Sequence, residues 1–113
     1  MTAALIPFAY QDRLVRSMMR QGEPWFVAKD VAVILGYRDA PNMVRMLDDD
    51  EKGYSNLSIL GGEQEMLVIN ESGLYCAVVR SRRPEAKPFR KWVTGEVLPA
   101  LRRTGSYLSL IHI

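Results

Sequence analysis

At Val27 the apolar pattern changes period with no turn residue in between. Trp25-Phe26-Val27 is aromatic and β-branched, the composition of a strand. Ala28, Val31, Ala32, Ile34 and Leu35 then fall at helical spacing on one face. Gly36 supplies the stop, because glycine enters the left-handed backbone conformation without a Cβ clash. A helix that leaves a strand in a single step has to stack on the sheet it came from. The junction therefore demands a mixed fold, and the rest of the chain must supply the other strands.

It does so in order. Phe8 to Tyr10 reads as a short strand. Leu14 to Arg20 is a second, with Leu14, Arg16 and Met18 on one face and Val15, Ser17 and Met19 on the other. Gln21 to Pro24 carries turn chemistry before the third strand. A second short helix is expected from Ala40 to Leu47, with Pro41 in its first turn and Met43, Val44 and Leu47 inward. Tyr54 to Leu60 and Glu65 to Ile69 flank Gly61-Gly62 as a hairpin. Asn70 is the expected N-cap of a helix from Glu71 to Val79 that buries Leu74, Tyr75, Val78 and Val79. The last helix starts near Pro84 and Glu85 and turns Phe89, Trp92, Val93, Val97 and Leu101 inward. Pro99 should kink it or end its regular part, and Gly105 should close it. The expected fold is a small α+β domain of short antiparallel strands and about four helices.

With 113 residues, 48% of them apolar, the chain can bury a core without staples. It has few staples to use, since Cys76 and His112 are its only cysteine and histidine. No intramolecular disulfide can form, and zinc sites or histidine-based triads lack their residues. A lone cysteine suits a reducing cytoplasm. The sequence has no apolar run of transmembrane length and no signal-peptide pattern at its start. It has no glycine-rich phosphate loop and no dinucleotide fingerprint. Asp48-Asp49-Asp50-Glu51 lacks the alternation and central glycine of a calcium loop, and reads as a solvated acidic connection. No catalytic residue, metal or cofactor is therefore expected, and the function sought is binding.

Charge is segregated along the chain. Between Asp48 and Glu65 six acids stand against one lysine, a net of −5. Between Arg80 and Arg103 eight bases stand against two acids, a net of +6. Clustered arginine and lysine are the footprint of an anionic partner, nucleic acid first. The strongest candidate surface is Arg80, Arg82 and Arg83, at the break before the last helix, with Lys87, Arg90 and Lys91. The last three share a helix face through i, i+3, i+4 spacing. Arg102 and Arg103 extend the basic third. A second candidate is residues 28–47 as a helix-turn-helix variant, in which Ala32 and Gly36 stand four apart as such units require. Asn42 and Arg45 would reach bases there, and Lys29 and Arg38 phosphates. Its register departs from the usual unit, because Asn42 falls where an apolar residue is expected.

Three blocks carry a family resemblance. The first is Gly22-Glu23-Pro24-Trp25-Phe26-Val27-Ala28-Lys29-Asp30-Val31-Ala32 with Leu35-Gly36-Tyr37. The second is Val68-Ile69-Asn70-Glu71-Ser72-Gly73-Leu74-Tyr75. The third runs from Ala86-Lys87 through Phe89, Trp92-Val93 and Glu96-Val97-Leu98-Pro99 to Arg102-Arg103-Thr104-Gly105. In this order they resemble the Bro-N domain, the N-terminal domain of baculovirus Bro proteins and of phage and prophage antirepressors. The resemblance implies a DNA-binding regulatory domain over residues 1–107, usually fused to a variable C-terminal domain. It implies double-stranded DNA as partner, a bacterial host cytoplasm as setting, and no catalysis. In phages such proteins are associated with the switch from lysogeny to lytic growth. Trp25, Phe26, Tyr75 and Trp92 carry over as core, and Gly36 and Gly105 as helix ends. The alternative is a module that captures a phage repressor without useful DNA affinity. A homodimer would suit a regulator reading paired half-sites. Leu108 to Ile113 continues no pattern and matches one reading frame of a transposon-end sequencing adapter. The expectation is that natural sequence ends near Tyr107, with a C-terminal domain missing.

Overall fold

Two tight turns build the first three strands. β1 (Ile6–Tyr10) pairs antiparallel with β2 (Arg13–Arg20), closing at Tyr10 opposite Arg13. β2 pairs in turn with β3 (Glu23–Val27), closing at Arg20 opposite Glu23. The computed structural model describes residues 5–59 and 62–103. The expected hairpin tip at 60–61, the stop at Gly105 and the tail from 108 to 113 lie outside the described residues. β4 (Lys52–Ile59) and β5 (Gly62–Asn70) form a long hairpin, and β5 docks on β3. The result is one antiparallel sheet in the order β1-β2-β3-β5-β4. The expected α+β architecture is present, with strands somewhat longer than the apolar pattern alone marked out.

The sheet curls. In a flat sheet β2 and β4 would stand three strand spacings apart, ~14 Å. Yet Arg20 on β2 donates from Nη1 to the Tyr54 carbonyl (3.3 Å) and to Ser55 Oγ (3.0 Å) on β4. One side chain can span that gap only if the strands bend toward each other. The enclosed face holds Met18, Trp25, Val27, Leu57 and Val68 as a small core of its own. The Arg20 guanidinium lies 4.8 Å over the Trp25 ring, a cation–π contact that covers it. The opposite face, through Val15, Phe26 and Ile69, receives the helices.

α1 (Ala28–Leu35) follows β3 without a loop and buries Ala28, Val31, Ala32, Ile34 and Leu35, the face its spacing prescribes. Asp30 in its first turn secures the junction. Its carboxylate accepts from Arg16 Nε and Nη2, both at 2.9 Å, and from the Arg16 backbone N–H at 2.8 Å. That backbone donor lies just beyond the last β2–β3 pair, so the helix completes the ladder the strand abandons. Hydrogen bonding to Asp30 raises the Arg16 pKa further above its ordinary value.

α2 (Ala40–Val44) is shorter than the expected helix to Leu47. Asp39 caps it by accepting from the Asn42 N–H at 2.7 Å. The chain then tightens, with the Leu47 N–H donating to the Val44 carbonyl. Leu47 still reaches the core, while Met46 is exposed. The acidic run becomes a single 3₁₀ turn over Asp49–Glu51, closed by reciprocal Asp48 and Glu51 bonds. Glu51 also accepts from Ser72 Oγ at 2.5 Å. These two bonds hold its carboxyl below the usual carboxylate range.

α3 (Glu71–Arg80) is capped by Asn70 as expected, its side-chain oxygen accepting from the Gly73 N–H at 2.9 Å. Its buried face is Gly73, Leu74, Ala77 and Val78. Tyr75 is only half-buried, and Val79, expected inside, is 82% exposed. Gly73 explains the rotation. A Cβ there would stand 2.8 Å from the Glu51 carbonyl oxygen, so this edge of the helix presses directly on backbone. The whole inward arc moves one residue back along the helix, and Val79 turns out.

α4 (Ala86–Trp92) runs back along α3 and meets β1 through rings. Phe89 lies edge-on to Tyr10 at 5.3 Å, and Trp92 lies edge-on to Phe8 at 6.5 Å. Pro99 does not end the helix, although regular α-helix is interrupted just before it. The turn before it widens into a π segment over Val93–Val97, and α-helix resumes over 98–103. Widening removes the clash between the proline ring and the carbonyl one turn back.

Two outcomes follow from these bonds. Asp30→Ala would strip a half-buried guanidinium and a strand N–H of their acceptor. It should cost about 2–3 kcal/mol of stability in urea unfolding. Glu51 has a depressed folded pKa, so its contribution is complete above its ordinary value of 4.5 and lost as pH falls through the lower folded value. Glu51→Gln should therefore lower the urea midpoint at pH 7, and the gap to wild type should narrow as the pH falls below 4.5.

Candidate nucleic-acid interface

The basic corner is a rigid connection. Where α3 ends, Ser81 Oγ donates to the Leu35 carbonyl at 2.7 Å, filling one of the open acceptors at the end of α1. The Arg83 N–H donates back to Ser81 Oγ at 3.2 Å. The Tyr37 hydroxyl, just past the same end of α1, donates to the Ala77 carbonyl at 2.6 Å. Burial raises the Tyr37 pKa, which keeps this donor protonated. Two helix ends are thus joined by side-chain bonds on both sides of the corner.

Gly36 has two roles in this joint. Its φ of +82° ends α1, as expected from the sequence. Its missing side chain also makes room for Arg83, since a Cβ there would stand 2.4 Å from Arg83 Nε. The Arg83 stem therefore lies across the end of α1. Together with Arg80 and Arg82 it borders a cleft of about 220 Å³ against Gly36 and Tyr37.

The eight expected basic residues divide into two groups. Arg80, Arg82 and Arg83 lie in the corner, and Lys87, Arg90 and Lys91 follow on α4, all exposed. None of these six forms an ion pair among the described residues. Arg102 stands at the other end of α3, ~13 Å away by helix rise. There its Nη2 donates to both Glu71 oxygens, at 3.1 and 3.3 Å. Arg103, exposed beside it, belongs to the same far end. Arg90 is the link between the groups, close enough to Tyr75 to oppose the rise that burial gives the Tyr75 pKa.

The helix-turn-helix candidates are placed differently. Lys29 is exposed in the first turn of α1, at the end remote from the corner. Arg38 is paired with Asp39 at 3.3 Å. Asn42 is half-buried, and Arg45 borders a groove with Lys52 and Tyr54 beside the β4–β5 hairpin. α2 has five residues and turns Met43 and Val44 into the core. That is little more than one turn, against the longer second helix that such units lay in the major groove. The two helices pack as core elements. Among the described residues no three His, Cys, Asp or Glu side chains are grouped to hold a metal ion. Among them also, no helix is long and apolar enough to cross a membrane.

Sequence reasoning missed Arg13. It is exposed at the β1–β2 turn and lines a cleft whose other wall includes Arg83 and Glu85. No local pattern brings those positions together; the fold does. Gly36→Ala should cost roughly 1–2 kcal/mol, from the left-handed backbone alone. Gly36→Asn tolerates that backbone better but keeps the Cβ. It should therefore still shift the Arg83 Nε–Hε signal in a ¹⁵N NMR spectrum while recovering most of the thermal stability.

Residues 14–99 match the model of the BRO family, N-terminal domain. An uncharacterized protein of Haemophilus influenzae is 41% identical over 107 residues, covering 88% of this chain and 51% of that protein. Putative Bro-N domain-containing protein 289L of Invertebrate iridescent virus 6 is 29% identical over 121 residues, covering 90% of this chain and 29% of that protein. Putative Bro-N domain-containing protein 201R of the same virus is 32% identical over 106 residues, covering 75% of this chain and 25% of that protein. The chain spans about half the length of the bacterial relative and less than a third of the viral ones. No solved structure matches. The family match covers both the strand–helix junction at Val27 and the corner around Arg83, and the chain belongs to the Bro-N family.

Proposed function

We propose that this Bro-N domain binds double-stranded DNA through the basic corner, as the regulatory domain of an antirepressor-type protein that controls viral or prophage genes. The observation that carries the reading is the set of six exposed bases, Arg80, Arg82, Arg83, Lys87, Arg90 and Lys91, with no acid paired to them among the described residues. Exposed cations on a folded surface are usually matched locally by acids. Here Glu85 stands close by, yet none of the six is in an ion pair among the described residues, and the guanidinium forks keep their donors for an outside partner. A phosphate backbone suits them, because arginine matches its oxygens with paired donors. The bonds of Ser81 to Leu35 and of Tyr37 to Ala77 hold the corner backbone in place before any partner arrives, so the ordering cost on binding falls on the side chains alone.

Fluorescence anisotropy of the chain against random and phage-operator duplexes, across a salt series, tests the reading. Affinity should fall steeply with salt as counterions are released. Arg80→Ala, Arg82→Ala and Arg90→Ala combined should weaken binding to every duplex alike. The combination should also reduce the log–log salt slope by about 2–3, near 0.9 for each phosphate no longer neutralised. Circular dichroism of the triple variant should match wild type, since all three residues are exposed. An unchanged salt slope would remove this surface from the function. Absence of duplex binding at low salt would leave capture of a repressor protein as the activity to pursue.

A further inference from the structure

Arg83 divides two clefts of opposite character. On one side lies the corner already described, whose charged side chains among the described residues are Arg80, Arg82 and Arg83 itself. On the other side lies a cleft between the β1–β2 turn and the start of α4. Its charged and amide groups are Gln11, Asp12, Arg13, Arg83 and Glu85, above Val33 and Ile34 of α1. The charged groups described in the first cleft are all cations, which suits phosphate. The second mixes a fork donor, an amide and two carboxylates. Carboxylates repel phosphate, so the second cleft is poorly suited to the backbone of a nucleic acid.

That mixture is what base edges require. Arginine pairs with guanine O6 and N7, glutamine with adenine N6 and N7, and a carboxylate accepts from the cytosine N4 amino group. The carrier is also suitable, since a two-stranded β ribbon enters the major groove of B-DNA. The β1–β2 turn is a two-residue loop between Tyr10 and Arg13, and its residues 11–13 are exposed. Gln11 holds φ +57° there, in the region where glycine is the ordinary occupant of such turns. The neighbouring β2–β3 turn has the same feature, with Gln21 at φ +55° ahead of Gly22.

We propose that the β1–β2 turn, through Gln11 and Arg13, reads base edges in DNA whose phosphates are held by the adjacent Arg80–Arg83 corner. The proposal rests on the DNA-binding reading above and adds to it the element that makes binding sequence-selective. Arg83 belongs to both clefts and sets the distance between the two kinds of contact.

The test is selection of the 113-residue chain on a pool of duplexes with a randomised centre, followed by anisotropy on the winning and scrambled sequences. Gln11→Gly suits the observed φ, so its thermal midpoint should equal or exceed that of wild type. Arg13→Gln removes the charge and keeps a long polar side chain. Wild type should select a motif. Each variant should lose discrimination at one or two adjacent base pairs by about tenfold or more, the share of one paired base contact. Affinity of Gln11→Gly for scrambled duplex should stay within about twofold. If both variants select the same motif with undiminished discrimination, or wild type binds duplexes without selecting any motif, the turn does not read bases and the phosphate-binding corner stands alone. If no duplex binds at low salt, this proposal and the DNA-binding reading fall together.

Discussion

The bond between Asp30 and Arg16 is the constraint on which the other elements depend. β3 becomes α1 at Val27 with no loop, so the helix direction is set by the last strand residue and its first contact. Asp30 makes that contact with one carboxylate and three donors. Two of the donors belong to the guanidinium and one to the strand, so the bond fixes position as well as charge. A displaced α1 would lose the Leu35 carbonyl as acceptor for Ser81 and the seat of Arg83 over Gly36. The geometry of the basic corner is therefore inherited from a residue pair at the opposite end of α1.

The same junction accounts for what the sequence made legible. Strand and helix types followed from local period and capping, as at Ala28–Leu35, Asn70 and Gly36. Errors arose where a neighbour outside the segment decided the outcome. Val79 lies on a credible apolar stripe, yet close approach of Gly73 to the Glu51 backbone rotates that stripe away from it. Pro99 looked like a break, but a wider turn ahead of it lets the helix continue. The curl of the sheet had no local sign, because it is visible only where Arg20 reaches Tyr54 and Ser55. The corner residues were legible as charge. Their division into a group near Arg83 and a pair near Glu71 was not, since it depends on α4 running back along α3.

Curling of the sheet also explains how so short a chain supports two cores. The inner face buries Trp25 and its neighbours among strands alone, and the outer face is free to take all the helices. Phe8 and Tyr10 on β1 then pack against Phe89 and Trp92 rather than lie on an open edge. This clasp holds the start of α4 beside the β1–β2 turn. The cleft between Arg13 and Arg83 is a consequence of it, and it places the turn beside the corner.

Charge segregation along the chain becomes charge segregation along α3. The acidic turn at Asp49–Glu51 sits at its N-terminus, bound through Ser72, and Asn70 donates to the Asp50 carbonyl there. Arg80, Arg82 and Arg83 sit at its C-terminus. Each sign lies at the helix end where the backbone dipole favours it, so the arrangement stabilises α3. The same arrangement gives the surface a direction. At the acidic end, Arg102 is engaged by Glu71 and adds little free positive charge. A polyanion approaching that end meets carboxylates, and one approaching the other end meets the exposed guanidinium groups of the corner. Helix stability and electrostatic steering thus ask for the same placement of charge, and neither has to be traded for the other.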